Sequence, residues 1–359
     1  RDVGHEVIEY RGMNPPGRLG AAAALAVSSW NPLSARDVGD VADRAKPELA
    51  HVHNTWYRLS PSVLKALSRR GIPVVMTIHN YRLMCANALL YRDGAACTDC
   101  VGTHPWRGVA RRCYRDSFVA SAAVATSIAV HRRLDSWSSY VDRFVVATDF
   151  LQGMLVDAGL PVDRIDRIPL SAPDPGSRPQ PPSASRTVLF VGRLDAEKGT
   201  RELIELWRDL GTDLELRVIG DGDDRAALQS LQVPNVRFMG WMERHELQQE
   251  MLMARALVFP SALIETFGLS MVEAFAAGIP VVANDLGTRS EVVGSDGAGW
   301  LVEGRTRWRE ALAHLADDGR IDVAGRLARQ RYLDRFDPAV TMPKLVESYR
   351  KLLATTNPA

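Results

Sequence analysis

Two glutamates flank the start of a predicted helix in residues 260–283, PSALIETFGLSMVEAFAAGIPVVA. Glu265 precedes Gly268, where the helix begins, and Glu273 follows inside it. A helix N-terminus presents unpaired backbone N–H groups and about half a positive charge, which favour an anion such as phosphate. Carboxylates accept hydrogen bonds from hydroxyl groups. The pattern therefore indicates a ligand with a phosphate part and a hydroxyl-rich part, such as a nucleotide sugar. The alternative for Glu273 is a solvated edge of the helix.

Two cations and a glycine turn lie upstream, each at the end of a predicted strand. Arg193 and Lys198 flank the turn in VGRLDAEKG (191–199), which leads into the next helix. Such a pair can neutralise a diphosphate, although two solvated surface charges fit the same pattern. Gly222 lies in GDGDD (220–224), where the backbone can approach a ligand or only make a tight turn.

The elements that must position these residues alternate between strand and helix in both halves of the chain. This order predicts an α/β fold with doubly wound parallel sheets covered by helices, whose ligands lie at the carboxyl ends of the strands. The predicted strands are 48–54, 73–80, 142–148, 187–193, 214–220, 235–240, 254–260 and 279–285. Residues 4–10, GHEVIEY, predict a helix end followed by a strand. Residues 338–353 predict an amphipathic helix.

Composition limits the class of protein. A chain of 359 residues is long enough for two domains, and a net charge of +1 argues against a general nucleic-acid role. No apolar run approaches the length of a membrane span. Residues 1–20 show no apolar core of a signal peptide. The four cysteines are accordingly expected in a reducing compartment, the cytoplasm.

The motifs GRLDAEKG, GDG, ETFGLSMVEAFAAGIPVVA and LGTRSEVV resemble the donor domain of retaining GT-B glycosyltransferases, specifically glycosyltransferase family 4. GHEV, HVHN and TIHNYR in the first half resemble the acceptor domain of the same family. The resemblance implies two Rossmann-like domains that face each other across a cleft. Residues 1–170 would form the acceptor domain, 171–186 a proline-rich linker, 187–337 the donor domain, and 338–359 a helix that crosses back. The family begins with a strand, a glycine-rich loop and a helix; we expect this unit to be missing here.

The resemblance also implies donor-binding roles. Arg193 and Lys198 would bind the diphosphate and stabilise the leaving phosphate. Glu265 would bind sugar hydroxyls and Glu273 the ribose hydroxyls. Backbone groups complete the expected donor site, at Gly222, Phe267, Gly268 and Leu269.

The reaction implied is transfer of a hexose-type sugar from a UDP- or GDP-sugar to a hydroxyl of a carbohydrate or lipid-linked acceptor. The setting would be polysaccharide, glycolipid or natural-product synthesis. His79 would line the reaction centre, so the expected catalytic residues are His79, Glu265, Arg193 and Lys198. The family retains the anomeric configuration without a bound metal, and the donor phosphate helps to take the acceptor proton. The alternatives are a catalytically inactive GT-B binding or scaffold subunit and a GT-B epimerase.

All the cysteines of the chain fall within one loop-like segment, at Cys85, Cys97, Cys100 and Cys113. A Cys-x-x-Cys pair is a usual half-site for tetrahedral zinc, and two more thiolates complete a four-sulfur set. The spacing therefore predicts a structural zinc; free buried thiols or a redox pair are the alternatives.

A basic stretch with flanking tryptophans follows the cysteines. Arginines and lysines near aromatic side chains favour an anionic membrane surface, while a solvated helix face is the alternative. The membrane-surface interpretation predicts peripheral contact with the inner face of the membrane. The residues concerned are Trp106, Arg107, Arg111, Arg112, Arg115, Arg132, Arg133 and Trp137.

Overall fold

The computed structural model describes residues 4–13, 17–56 and 58–356. The strands in this part of the chain are β1 (Ala50–Val52), β2 (Val74–Thr77), β3 (Tyr91–Arg92), β4 (Ala95–Ala96), β5 (Arg143–Val146), β6 (Ile165–Arg167), β7 (Thr187–Val191), β8 (Glu215–Ile219), β9 (Val236–Gly240), β10 (Ala256–Phe259), β11 (Val281–Asn284) and β12 (Gly299–Val302). The α-helices are α1 (Gly17–Val27), α2 (Pro32–Ala45), α3 (Ser62–Ser68), α4 (Trp106–Ala110), α5 (Phe118–Arg133), α6 (Ser136–Tyr140), α7 (Asp149–Asp157), α8 (Thr200–Leu210), α9 (Arg225–Gln229), α10 (Arg244–Met253), α11 (Leu269–Ala276), α12 (Arg289–Val293), α13 (Gly304–His314), α14 (Asp318–Arg335) and α15 (Pro338–Thr356).

The first half forms a four-stranded parallel sheet in the order β1-β2-β5-β6. Every residue of β2 is buried, as expected for a strand covered on both faces. The three strands predicted here are confirmed by β1, β2 and β5. Strand β6 was not predicted, because only Ile165 of its three residues is buried and apolar. Its sequence, IDR, shows no strand pattern.

The second half forms a six-stranded parallel sheet in the order β12-β11-β10-β7-β8-β9. Alternate residues of β10 face two different cores: Leu257 and Phe259 join one cluster, Ala256 and Val258 the other. This is why the strand reads as a continuous apolar run rather than an alternating one. All five strands predicted in this half are confirmed. The short β12, which follows a glycine-rich turn, was not predicted.

Helix α15 connects the end of the chain to the first sheet. Leu345, Tyr349 and Leu352 pack against Val75 of β2 and Val145 of β5. Ser348 Oγ also donates to Asp166 Oδ2 at 2.6 Å. The predicted amphipathic helix is therefore confirmed, and its apolar face covers the first sheet.

One expectation is wrong. Residues 4–10 contain neither the predicted helix end nor the predicted strand, and Val7 and Ile8 are about half exposed. These residues belong to none of the sheets, and a strand needs a neighbouring sheet edge that local sequence does not specify. Residues 171–186, the predicted proline-rich linker, pack against the second half of the chain. Ala172 is fully buried and its carbonyl accepts from Tyr332, while Arg178 donates to the Ala254 carbonyl.

Among the described residues, no helix combines the length and the apolar character needed to cross a bilayer.

Candidate active site

A partly buried ion pair lies at the carboxyl end of the second sheet. Lys198 Nζ donates to Glu265 Oε1 at 2.7 Å, and both side chains are 17% exposed. Ser261 Oγ donates to the same oxygen at 2.9 Å. The pair forms because the Ala262 N–H donates to the Glu197 carbonyl, which holds the turn after β7 against the loop after β10. Two predicted site residues are thus in direct contact.

Gly199 permits this approach of the two loops. Its φ of 70° lies in the left-handed region, and a Cβ there would meet the Pro260 carbonyl oxygen at 2.5 Å. Any other residue would push the turn that carries Lys198 away from the loop that carries Glu265.

Helix α11 begins directly after this loop. Gly268 caps it in a left-handed conformation (φ 89°), so the backbone N–H groups of its first turn face the loop. Phe267 is buried in the core and Leu269 is partly exposed. Glu273, one turn into α11, is half-buried, and its carboxylate makes no hydrogen bond or ion pair within the described residues. Burial raises the pKa of Glu273, an effect that Arg244 opposes.

Arg193 and Gly222 do not share the contact that Lys198 makes with Glu265. The Arg193 side chain is 60% exposed and forms ion pairs with Asp195 and Glu197 rather than with Glu265. Gly222 has no space for a side chain, because a Cβ would lie 2.6 Å from the Leu194 backbone. Close packing between the turns after β7 and β8 therefore already explains this glycine.

Arg289 and Tyr81 hold the backbone of the loop that carries Glu265, and the sequence did not predict either of them as a site residue. Arg289 is completely buried and donates to the Leu263 carbonyl at 2.6 Å. Burial lowers its pKa to about 10, against the opposing field of Glu265, so the guanidinium stays charged at neutral pH. The Tyr81 hydroxyl donates to the Glu265 carbonyl at 3.1 Å. Nothing in the local sequence marks Arg289 as the arginine that is buried.

The opposite wall of the cleft belongs to the first sheet. His53 follows β1, His79 follows β2, and His53 Nδ1 lies 2.9 Å from His79 Nε2. The two histidines meet because β1 and β2 are neighbouring parallel strands that end at the same edge. Thr266 Oγ1 donates to the His79 carbonyl at 3.2 Å and so joins this wall to the Glu265 loop.

The two strand ends share one local structure. Asn54 accepts from the Trp56 N–H and Asn80 from the Arg82 N–H, so each His-Asn pair ends its strand in an Asx turn. The repeated His-Asn after two predicted strands is the sequence signal that could have identified His53.

A third histidine, His51, stacks behind His53, so that His51, His53 and His79 form a row. His51 stacks on His53, with ring centroids 4.3 Å apart, and its two nitrogens lie 2.5 Å from Tyr349 Oη and 2.6 Å from Thr77 Oγ1. Burial, together with the neighbouring His53 and His79, lowers the pKa of His51 to about 3. Burial also lowers the pKa of His53 and, with His53, that of His79. The row is therefore neutral at physiological pH.

A recess opens beside His79 in the first half of the chain. It encloses about 530 Å³, counting its open mouth. Polar side chains share its wall with Ile78, Leu83 and Ile128. The polar lining residues include His53, Asn54, His79, Asn80, Arg82, Ser127 and His131. The site as a whole thus has an ion pair and a helix N-terminus on one side of the cleft, and a polar recess on the other.

Residues 177–329 match the family model described as Glycosyl transferases group 1. A similar protein is the phosphatidyl-myo-inositol mannosyltransferase of Mycolicibacterium smegmatis, 30% identical over 47% of this chain and 46% of that protein. Another is the GDP-mannose-dependent alpha-mannosyltransferase of the same organism, 33% identical over 54% of this chain and 51% of that protein. The chain thus spans about half the length of these curated relatives.

Solved structures resemble a larger part of the chain. The crystal structure of Anabaena HepE in complex with UDP covers 91% of this chain, and this chain covers 84% of it, with a TM-score of 0.66 at 16% identity. The expected fold class, an α/β protein with two Rossmann-like domains in the GT-B arrangement, is confirmed by this likeness.

Proposed function

We propose that this protein is a retaining glycosyltransferase of family 4, which transfers a hexose-type sugar from a nucleoside-diphosphate sugar to an acceptor hydroxyl. The observation that carries the proposal is the grouping of Lys198, Glu265 and the unpaired Glu273 around the N-terminus of α11. The group 1 family match over 177–329 and the mannosyltransferase relatives support it. The UDP complex of HepE and the GDP-mannose of the named relative support a UDP- or GDP-linked donor.

On the donor side, Lys198 moves from Glu265 to the diphosphate, and the first turn of α11 adds its N–H groups. Glu265 then accepts hydrogen bonds from the sugar hydroxyls. Glu273 accepts hydrogen bonds from the ribose, for which an unpaired, half-buried carboxylate is well suited. Arg193 reaches the phosphates after it leaves Asp195 and Glu197; this costs little, because ion pairs of an exposed arginine contribute at most about 1 kcal/mol.

On the acceptor side, the recess beside His79 holds the acceptor hydroxyl. The bond between the anomeric carbon and the phosphate oxygen breaks, and the acceptor oxygen bonds to the same face of that carbon. The acceptor proton passes to the departing phosphate oxygen. Neutral His79, oriented by His53, accepts or donates a hydrogen bond at this centre without adding charge.

Membrane contact is proposed for the face formed by the adjoining helices α4 and α5. Trp106, Phe118 and Val119 are exposed there beside the exposed Arg107 and Arg112, a combination that favours an anionic lipid surface. Trp137, which the sequence analysis placed on this face, is buried and takes no part. Flotation with acidic and neutral liposomes tests this: co-flotation with acidic vesicles at low salt supports contact, and none contradicts it.

The central test measures nucleoside-diphosphate release from UDP- and GDP-sugars. Glu273→Ala should weaken nucleotide binding by about tenfold to hundredfold, because charge-assisted hydrogen bonds contribute about 1.5–3 kcal/mol. Glu310→Ala, at an exposed glutamate of α13, serves as the matched control and should change nothing. Binding without release would favour the scaffold subunit, while epimerised sugar nucleotide would favour the epimerase.

A further inference from the structure

The four cysteines line one small cavity in the first half, separate from the candidate active site. The cavity encloses about 350 Å³, counting its mouth, and shares no lining residue with the recess beside His79. We call this set the cysteine cluster: Cys85, Cys97, Cys100 and Cys113, none of them in a disulfide.

Tight turns bring the cluster together. Cys97 follows the β3–β4 hairpin, and its N–H donates to the Leu90 carbonyl at 2.8 Å. The Val101 N–H donates to the Thr98 carbonyl at 2.9 Å and closes a turn over residues 98–101, with Cys100 inside the turn and Cys97 directly before it. A Cys-x-x-Cys spacing on such a turn is a usual half-site for zinc.

Gly108 closes the cluster from the other side. Its N–H donates to the Pro105 carbonyl at 3.0 Å, and its carbonyl accepts from the Cys113 N–H at 2.9 Å. A Cβ at Gly108 would lie 3.3 Å from Ala86 Cβ and 3.9 Å from Cys113 Sγ. A side chain at Gly108 would crowd Ala86, so this glycine lets the segment that carries Cys113 pack closely against the segment that carries Cys85.

The charges around the cluster are mostly positive. Arg92, Arg107 and Arg111 line the cavity, where Arg92 pairs with Asp93 and Arg111 pairs with Asp99, while Arg107 forms no ion pair within the described residues. Arg132 lies close enough to interact with Cys100, and its Nε and Nη2 are buried without a hydrogen-bond partner. The cations without an ion pair in the described residues are thus Arg107 and Arg132, and four thiolates around one divalent cation, with a net charge of about −2, would balance these two.

We propose that the cysteine cluster binds one structural Zn²⁺ through four thiolates. Four sulfur ligands on short loops favour tetrahedral zinc, and residues 85–113 contain only two-residue strands and one five-residue helix to hold them otherwise. As placed, no three His, Cys, Asp or Glu side chains of the described residues converge enough to hold a metal ion, and the Cys85 thiol donates instead to Asn87 Oδ1 at 2.9 Å. Zinc would replace this hydrogen bond at the Cys85 sulfur, and the thiols would release their protons on binding the metal.

The test measures metal and thiols together on the full chain. Atomic emission should find about one zinc per chain, and Ellman's reagent should find all four thiols protected until the protein is denatured or chelated. Removal of zinc should lower the unfolding temperature by roughly 5 °C or more. Cys113→Ser should lose the metal, while Cys113→His, which keeps a zinc ligand, should retain it.

Reconstitution with Co²⁺ tests the wild-type chain in case the variants do not fold, because four thiolates give intense sulfur-to-cobalt charge-transfer absorption. No metal and four reactive thiols in the native protein would overturn the proposal. A visible iron–sulfur chromophore would also overturn it. So would substoichiometric zinc whose removal changes neither thiol reactivity nor unfolding.

Discussion

The two partners of the Lys198–Glu265 ion pair should have opposite effects on nucleotide binding. Before a donor binds, the Glu265 carboxylate neutralises Lys198 across 2.7 Å. A diphosphate must displace this carboxylate and then tolerate its negative charge nearby. Glu265→Gln removes that competition, whereas Lys198→Met removes the cation itself. One substitution should therefore strengthen binding of a nucleoside diphosphate and the other weaken it.

The magnitudes follow from the burial of the pair. With both side chains 17% exposed, the pair lies between surface ion pairs, worth up to about 1 kcal/mol, and buried ones, where loss of one partner costs about 3–5 kcal/mol. We expect Glu265→Gln to tighten nucleoside-diphosphate binding by about 1 kcal/mol, which is about fivefold. Lys198→Met should weaken it by about 1.5–3 kcal/mol, the contribution of a hydrogen bond between charged groups.

Turnover should fall in both variants. Lys198→Met loses a group that stabilises the leaving phosphate, which costs about 10²–10³ in rate. Glu265→Gln replaces the charged acceptor for the sugar hydroxyls with a weaker, neutral amide oxygen, although it binds the diphosphate better. Titration calorimetry with UDP and GDP, together with a release assay, measures both quantities.

The exposed pair Lys351–Glu347 of α15 provides matched controls, Lys351→Met and Glu347→Gln, which should leave binding unchanged. If both site substitutions weaken binding equally, the pair acts as one structural unit and the competition argument is wrong. If neither changes it, the diphosphate does not bind here.

Two further predictions concern the walls of the cleft. Because the pKa of His51 falls from 6.5 to about 3 on folding, the unfolded chain takes up the proton first, and stability is lost as the pH falls below 6.5. Between about pH 7 and pH 5 the wild type should lose about 2 kcal/mol more in urea unfolding than His51→Asn; equal losses would contradict a neutral, buried His51. Gly199→Ala should destabilise by about 1–3 kcal/mol more than Gly211→Ala, because both positions have positive φ but only Gly199 also faces a carbonyl, that of Pro260. Equal losses of unfolding free energy in the two variants would show that the turn at Gly199 is not packed against the Pro260 carbonyl.

Much of the fold could be predicted because the strands carry their own signal. β10 and β11 are short β-branched and apolar runs bounded by turn residues, and their register follows once parallel order is assumed. Residues 4–10 carry a similar signal but form no strand. A strand depends on a partner edge that local sequence does not specify.

The sequence could place site residues together only where they are close to one another along the chain. Glu265, Gly268 and Glu273 lie on one loop and one helix, so their spacing places them together. His53 and His79 are 26 residues apart, and only the pairing of β1 with β2 brings them into contact.

Arg193 and Lys198 show what sequence cannot resolve. Both are cations on the same turn, but Lys198 is 17% exposed and paired across to Glu265, whereas Arg193 is 60% exposed and paired within its own turn. The difference arises from the contact between the Glu197 carbonyl and the Ala262 N–H, which involves another loop. If that contact positions Lys198, displacing it through Gly199→Ala should reduce nucleotide binding through Lys198 and add little in a Lys198→Met background. Full additivity of the two substitutions would show that Gly199 acts on binding by another route.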